Sequence, residues 1–258
     1  MKRMESESVI ERNTAVLESI KALKIEHPFW GYRRIWAHLK YVDGFQINKK
    51  RILRLIQKHG LTVKPHSILK ATRVPQRSKP KPDKPNQWWG IDMTKVMVQS
   101  FGWVYIVVVL DWYTKKVVGY YTGLQCKAGH WLEALDMAVN LQFPYGARDH
   151  GLYLMSDNGC QPTSVSFMKS CSDLGIKQAF TSYNNPKGNA DTERFFRTMK
   201  EELLWLREWT NPIELMNEVS EWIPRYNESY LHSSLGYRTP NHVETEYLNS
   251  QLLHNLKA

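Results

Sequence analysis

The sequence predicts a mixed α/β domain behind a small, basic, all-helical one. Three observations predict it. Residues 1–86 carry 20 Lys and Arg against 7 Asp and Glu, whereas the remaining residues carry 15 against 18. Apolar spacing is helical in the first third and changes to strand-like runs from Trp88 onward, with strands and helices alternating later. Between the two patterns, residues 64–86 hold five prolines and seven Lys or Arg, a composition that forbids regular structure and makes a linker. With 258 residues, 42% hydrophobic, and ten tryptophans, the chain can bury such cores. The expected divisions are a helical domain over 1–63, the linker over 64–86, an α/β core over 87–210 and a helical extension over 211–258.

In the first domain, Ser8 and Glu11 form a capping box that opens a helix with Val16, Ile20 and Leu23 on one face. Gly31 precedes a second amphipathic segment with Tyr32, Ile35, Trp36 and Leu39. Asn48 caps a third, in which Ile52, Leu55 and Ile56 are apolar and Gly60 stops the helix. Three short helices with a basic last one resemble a helix-turn-helix. In that motif the first turn of the last helix faces the major groove, here Lys49, Lys50 and Arg51, with Arg54 beyond. A generic three-helix bundle with solvated lysines has the same pattern. Confinement of the positive charge to this third favours nucleic acid as partner, and the linker residues Arg73, Arg77 and Lys79 are then placed to track a phosphate backbone.

The second region opens with three consecutive strands, Trp88–Val98, Trp103–Thr114 and Lys115–Thr122. Turns at Ser100–Gly102 and Tyr113–Lys115 join them as an antiparallel meander. A helix over Ala128–Leu141, a strand over Leu152–Met155, a helix near Thr163–Leu174, a strand over Ile176–Phe180 and a long helix from Asn189 to Leu206 follow. Together they make a mixed sheet with helices on its faces. Asn211-Pro212-Ile213-Glu214 starts a further helix with Leu215, Val219 and Trp222 on its apolar face. Residues 248–258 are expected to fray.

The longest apolar run, Val104 to Leu110, is too short to span a bilayer. The start, MKRMESES, is no secretory signal. Cys126, Cys160 and Cys171 lack CxxC spacing, which fits a reducing, cytoplasmic setting. Cys160 is expected to be a small buried thiol. Lone histidines such as His130 and His232 read as surface or packing residues, and Trp88 and Trp89 as core.

Three carboxylates stand out. Asp92 lies inside an apolar strand, on the face it shares with Thr94, and needs a partner there. Asp157 ends the fourth strand just before Asn158-Gly159. Glu193 sits on the long helix, with 35 residues between it and Asp157. Pairing of the first and fourth strands would bring the two aspartates together at one end of the sheet. Each acid also has a plain reading, Asp157 as a turn cap and Glu193 as a helix-surface acid paired with Arg197. Three acids converging on one point repel unless a cation lies between them, and hard oxygen donors select Mg²⁺, or Mn²⁺ in its place.

The spacing decides between these readings, because it carries a resemblance. W-x-x-D-x-T at Trp89, Asp92 and Thr94, S-D-N-G at Ser156–Gly159 and N-A-x-x-E-x-F-F at Asn189–Phe196 resemble the D-D-35-E transposases and integrases. The nearest group is the OrfB-type catalytic subunit of two-frame bacterial insertion sequences. HPxxGYRRI at His27–Ile35 and YN…HSSLGYRTP at Tyr226–Pro240 resemble that group's helical front and C-terminal signature. The resemblance spans residues 25–245. It implies a ribonuclease-H-like core, preceded by the helix-turn-helix-like domain, with Asp92, Asp157 and Glu193 as ligands of two Mg²⁺ ions. It implies hydrolytic nicking of DNA and strand transfer by the freed 3′-hydroxyl, with no covalent protein intermediate. It also implies a bacterial, cytoplasmic enzyme acting on double-stranded DNA as an oligomer, with a separate first-frame DNA-binding partner. In related integrases the basic residues on the helix face behind the glutamate hold DNA, here Arg197 and Lys200. Lys187, in the polar loop Tyr183–Gly188, adds to this surface. The chain departs from the group at Gly188, where an aspartate is common, and at Tyr230-Leu231, where Arg-Pro is common. A non-catalytic DNA-binding regulator is the alternative, and the intact acidic triad speaks against it. A retroviral-type zinc domain is excluded by the lack of any cysteine before Cys126.

Overall fold

The computed structural model describes residues 7–63, 80–181 and 189–255. The chain forms two compact units, Met1–Thr72 and Arg73–Ala258.

The first unit has three helices, α1 (Glu7–Glu26), α2 (Tyr32–Tyr41) and α3 (Lys49–Lys58). α1 is already running at Glu7, so Ser8 lies within its first turn and not at its N-cap position. Asn48 does cap α3, accepting the Lys50 amide at 2.8 Å, and Gly60 ends it in the left-handed region at φ 67°. Val16, Ile20, Leu23, Ile35, Leu39, Ile52 and Ile56 are buried as the three helices pack on one another. Trp36 donates its indole N–H to the Ile47 carbonyl at 2.8 Å, which pins the α2–α3 connection.

The second unit is built on a five-stranded sheet in the order β3-β2-β1-β4-β5. Its strands are β1 (Trp88–Val98), β2 (Gly102–Asp111), β3 (Val117–Gly123), β4 (Tyr153–Ser156) and β5 (Lys177–Phe180). β1, β2 and β3 pair antiparallel as a meander. β4 pairs parallel with β1, and β5 parallel with β4. α4 (Ala128–Gln142) and α5 (Val165–Asp173) cover one face; α6 (Ala190–Met199) and α7 (Pro212–Ser229) cover the other. This is the ribonuclease-H-like arrangement that the sequence motifs implied.

Both faces are buried, which explains why β2 reads as an unbroken apolar run. Ile106, Val108 and Leu110 point to the α6–α7 side with Phe195, Phe196 and Trp222. Val107 and Val109 point to the α4–α5 side with Trp89, Ile91, Trp131 and Phe167. Asp92, one residue past Ile91, therefore projects toward α6.

Two elements differ from the sequence expectation. The long helix is α-helical only to Met199; Lys200–Leu204 widens into a π-turn, with the Trp205 amide reaching the Lys200 carbonyl at 2.8 Å. The C-terminal segment is helical as α8 (Pro240–Asn255), which continues past Leu248. Val243 is buried, Tyr247 packs edge-on against Tyr113, and Glu244 pairs with Lys116 at 2.5 Å, so tertiary contacts hold a helix of weak amphipathic pattern.

Asn227 of α7 closes one edge of the sheet. Its side-chain oxygen accepts the Val117 amide at 2.9 Å and its NH₂ donates to the Val117 carbonyl at 2.9 Å, as a neighbouring strand would. Tyr226 beside it donates its hydroxyl to the Lys115 carbonyl at 3.0 Å. Among the described residues, no helix is long and apolar enough to cross a membrane.

Candidate active site

β1 and β4 run in parallel register, Trp88 opposite Tyr153 through Gly90 opposite Met155. Continued by two residues, the same register sets Asp157 level with Asp92. Asp92 is half-buried on the α6 face, and its Oδ1 accepts the Met93 amide at 2.8 Å. Burial pushes its carboxyl up from 3.8 to about 6. The charges of Asp157 and Glu193 push the same way; the Met93 amide and the Lys200 ammonium pull against them. Asp92 thus senses both other acids, the electrostatic signature of a shared neighbourhood.

Asp157 lies just past β4 and is exposed. Its Oδ1 accepts the Gly159 amide at 3.0 Å, so it is also the turn cap that local chemistry suggests. Asn158 donates to the Thr181 carbonyl at 2.7 Å and ties this turn to the end of β5. Glu193, in the first turn of α6, stands at the surface, yet partial burial raises its carboxyl pKa. Among the described residues, no group of three or more His, Cys, Asp or Glu side chains stands close enough to hold a metal ion. Asp92 lies within electrostatic reach of each of the other two acids, but the three share no coordination point.

The first turn of α6 is seated directly on β1, and Gly90 is the reason. A Cβ there would lie 2.2 Å from Thr192 Oγ1, 2.5 Å from Trp112 Nε1 and 2.6 Å from Asn189 Oδ1. Its absence lets buried Asn189 donate to the Ile91 carbonyl at 3.4 Å and Trp112 donate to Thr192 at 3.5 Å. Of these residues, only Asn189 stood out in the sequence, as the first residue of the N-A-x-x-E motif. A glycine two residues before a strand aspartate is the one local signal that marks a close backbone approach.

Asp111, a fourth acid, is also missed by sequence. It is fully buried at the end of β2, and burial raises its pKa. It accepts the amides of Asn86, Tyr113 and Thr114 and the Thr114 hydroxyl, at 2.7–2.9 Å. That set satisfies it locally and marks it as the organiser of the β2–β3 turn.

The basic residues divide. Lys200 is close enough to Asp92 to lower its pKa. Arg197 pairs with Glu201 at 2.9 Å, not with Glu193, and its side chain stays 62% exposed. On α3, Lys50 and Arg54 face solvent, and Lys49 lies over the Trp36 ring at 4.1 Å. Arg51 donates to Asn13 Oδ1 and to the Arg12 carbonyl, each at 2.9 Å, so it ties α3 to α1. The helix phase explains this: Arg51 lies on the flank nearest α1, one residue before buried Ile52. Arg73, Arg77, Lys79 and Lys187, with Tyr183–Gly188, lie outside the described residues. Cys160 is exposed, against expectation, because it sits in the turn after Asp157 and not on β4; Cys171 is the buried thiol.

Comparison with known proteins agrees with this architecture. Residues 82–186 and 174–240 match two families described as integrase core domain, and residues 11–67 match an HTH-like domain. The transposase of insertion sequence element IS904 from Lactococcus lactis is 28% identical, covering 95% of this chain and 98% of its own. InsK of insertion sequence element IS150 from Escherichia coli K12 is 30% identical, covering 82% of this chain and 76% of its own. A chain of the simian T-cell lymphotropic virus intasome, solved with PP2A regulatory subunit B56 gamma, has the same fold. It superposes with a TM-score of 0.52 at 14% identity, over 87% of this chain and 73% of that one.

Proposed function

We propose, because this chain belongs to the integrase-core transposases of bacterial insertion sequences, that its chemistry is carried by Asp92, Asp157 and Glu193. As a DDE transposase it cuts DNA and joins the freed 3′-hydroxyl to a new phosphodiester. The observation that supports the residue assignment is the parallel β1–β4 register, which sets Asp157 level with Asp92, with the first turn of α6 seated on β1 beside them. All three side chains are hard oxygen donors, the chemistry that suits Mg²⁺ or Mn²⁺, and the excess of negative charge around Asp92 is what a divalent cation relieves. Holding a shared ion requires the acids to close up, and Glu193, exposed in the first turn of α6, is the one of the three for which no side-chain hydrogen bond is seen among the described residues.

When bound, two such ions lower the cost of an in-line displacement by activating the attacking oxygen and stabilising the leaving one. The protein's own part is positioning. Asp92 is fixed by the Met93 amide, and Asp157 by the Gly159 amide. Lys200 supplies a cation beside Asp92 for a phosphate oxygen. Arg197, once released from Glu201, and Lys187 extend that surface along the DNA. The basic front unit holds duplex DNA through the exposed Lys50 and Arg54, with the linker residues Arg73, Arg77 and Lys79 following the backbone. Three thiols without a disulfide suit a bacterial cytoplasm. Joining two element ends calls for at least two copies, with a first-frame subunit as a further partner.

The test is nicking and joining of a supercoiled plasmid bearing the element ends, in Mn²⁺, Mg²⁺ or EDTA, by the wild type and Glu193→Gln. Metal-dependent product with the wild type alone is expected. Equal product from both preparations would remove Glu193 from the site.

A further inference from the structure

Lys115 stands in the β2–β3 turn, far in sequence from the three acids. Its ammonium donates to the Asp191 carboxylate at 2.8 Å and to the Trp112 carbonyl at 2.5 Å. The paired side chains are only 17% and 24% exposed. Asp191 is the second residue of α6, two before Glu193. An acid in the first turn of a helix is favourable by itself; here it is also clasped from the sheet.

The turn that makes this clasp is held from two sides. Lys115 holds a left-handed backbone, φ 62°, unusual for a residue with a side chain. Buried Asp111 secures the turn from one side through the amides of Tyr113 and Thr114. From the other side, α7 secures it: Tyr226 donates to the Lys115 carbonyl, and Asn227 brackets Val117. By contrast, the neutral hydrogen bonds seating α6 on β1 and Trp112 are long, at 3.4 and 3.5 Å. The charged bond is the short one, and charge-assisted bonds are the stronger class.

We propose that Lys115 is a positioning residue for the DNA-cutting reaction. Its clasp on Asp191 fixes the first turn of α6 and so sets where Glu193 stands relative to Asp92. It also neutralises Asp191, which would otherwise add a competing carboxylate two residues from Glu193. The Tyr226-Asn227 pair of the C-terminal signature thereby gains a role, as the brace of the turn that holds the catalytic helix. This inference rests on the assignment of Glu193 above.

The test compares the wild type, Lys115→Met, Asp191→Asn, the double variant, Lys115→Arg and Glu193→Gln, all as full chains. Two quantities are read: the initial nicking rate against Mn²⁺ concentration, and the Mn²⁺ concentration that half-saturates the thermal shift without DNA. Lys115→Met and Asp191→Asn should each lower the rate roughly 10- to 100-fold, the scale of a misplaced catalytic group, and raise the half-saturating Mn²⁺ in both assays. The double variant should be no worse than either single, because one interaction is removed once. Lys115→Arg should keep most of the activity. Wild-type Mn²⁺ response in both single variants overturns the proposal, as does a double variant that shows the product of two independent losses. An active Glu193→Gln would overturn the triad assignment itself. An inactive Glu193→Gln beside a normal Lys115→Met would overturn the clasp alone. If Lys115→Met does not fold, Asp191→Asn, nearly isosteric, carries the same comparison.

Discussion

Asp92→Asn is expected to abolish strand cleavage and, in EDTA at pH 7.5, to make the catalytic unit more stable. Loss of one metal-holding carboxylate removes transition-state stabilisation on the order of 4 kcal/mol, or about a thousandfold in rate. The stability gain follows from linkage. Asp92's carboxyl is lifted from 3.8 to about 6 in the folded chain. Between those values the native state holds a proton that the unfolded chain has released, so stability falls as pH rises through that window. Above pH 6 the full penalty applies, about 3 kcal/mol for a lift of this size. The carboxamide removes the charge and keeps an oxygen to accept the Met93 amide. For a unit of this length the midpoint should rise on the order of 5–10 °C, with the gain shrinking as pH falls toward 4. Thermal unfolding of both proteins across pH 4–8 in EDTA measures it. A midpoint that does not rise at neutral pH, or a gain that persists undiminished at pH 4, contradicts the account of Asp92.

Gly90→Ala is the second large effect. The added methyl would stand 2.2 Å from Thr192, 2.5 Å from Trp112 and 2.6 Å from Asn189. Asn189 and Thr192 flank the start of α6, so relief of the clash lifts that turn from β1 and carries Glu193 with it. Overpacking of a closed site costs about 1–3 kcal/mol. A displacement near 1 Å at the chemistry costs on the order of 100-fold in rate. Activity should therefore fall far more than stability. Adding Thr192→Ala, which removes the nearest of the three atoms, should return part of the rate. Paired melting curves and nicking rates check both statements. A Gly90→Ala enzyme of wild-type rate would show that the seat of α6 on β1 does not set the position of Glu193.

What could be read from the sequence was whatever depends on local pattern. Period-two and period-3.6 apolar spacing located the meander, the three front helices and the Asn211-Pro212 helix start, since each records burial of one face. The acids were legible because their spacing carries a family pattern. What escaped was set by partners distant in the chain. Arg51 was read as a groove residue because it opens a basic helix, but its flank of α3 faces Asn13 and the Arg12 carbonyl. Cys160, expected as a small buried thiol, is exposed because β4 ends at Ser156 and the turn that follows carries it outward. The Lys115–Asp191 pair joins residues 76 positions apart, and nothing in either neighbourhood announces the other. The π-turn after Met199 likewise has no local breaker; Leu203 and Leu204 are buried, and the wider turn faces both inward.

The central claim is that Asp92, Asp157 and Glu193 together hold a divalent ion. It is tested most directly by titrating Mn²⁺ against thermal stability at pH 7.5 in the wild type and in the Asp92→Asn/Asp157→Asn/Glu193→Gln variant. Ligand that binds only the native state raises its stability with concentration. The wild-type midpoint should climb and saturate, while the variant, already more stable without metal, should not respond. Equal shifts in the two proteins would contradict the assignment and place the ion elsewhere.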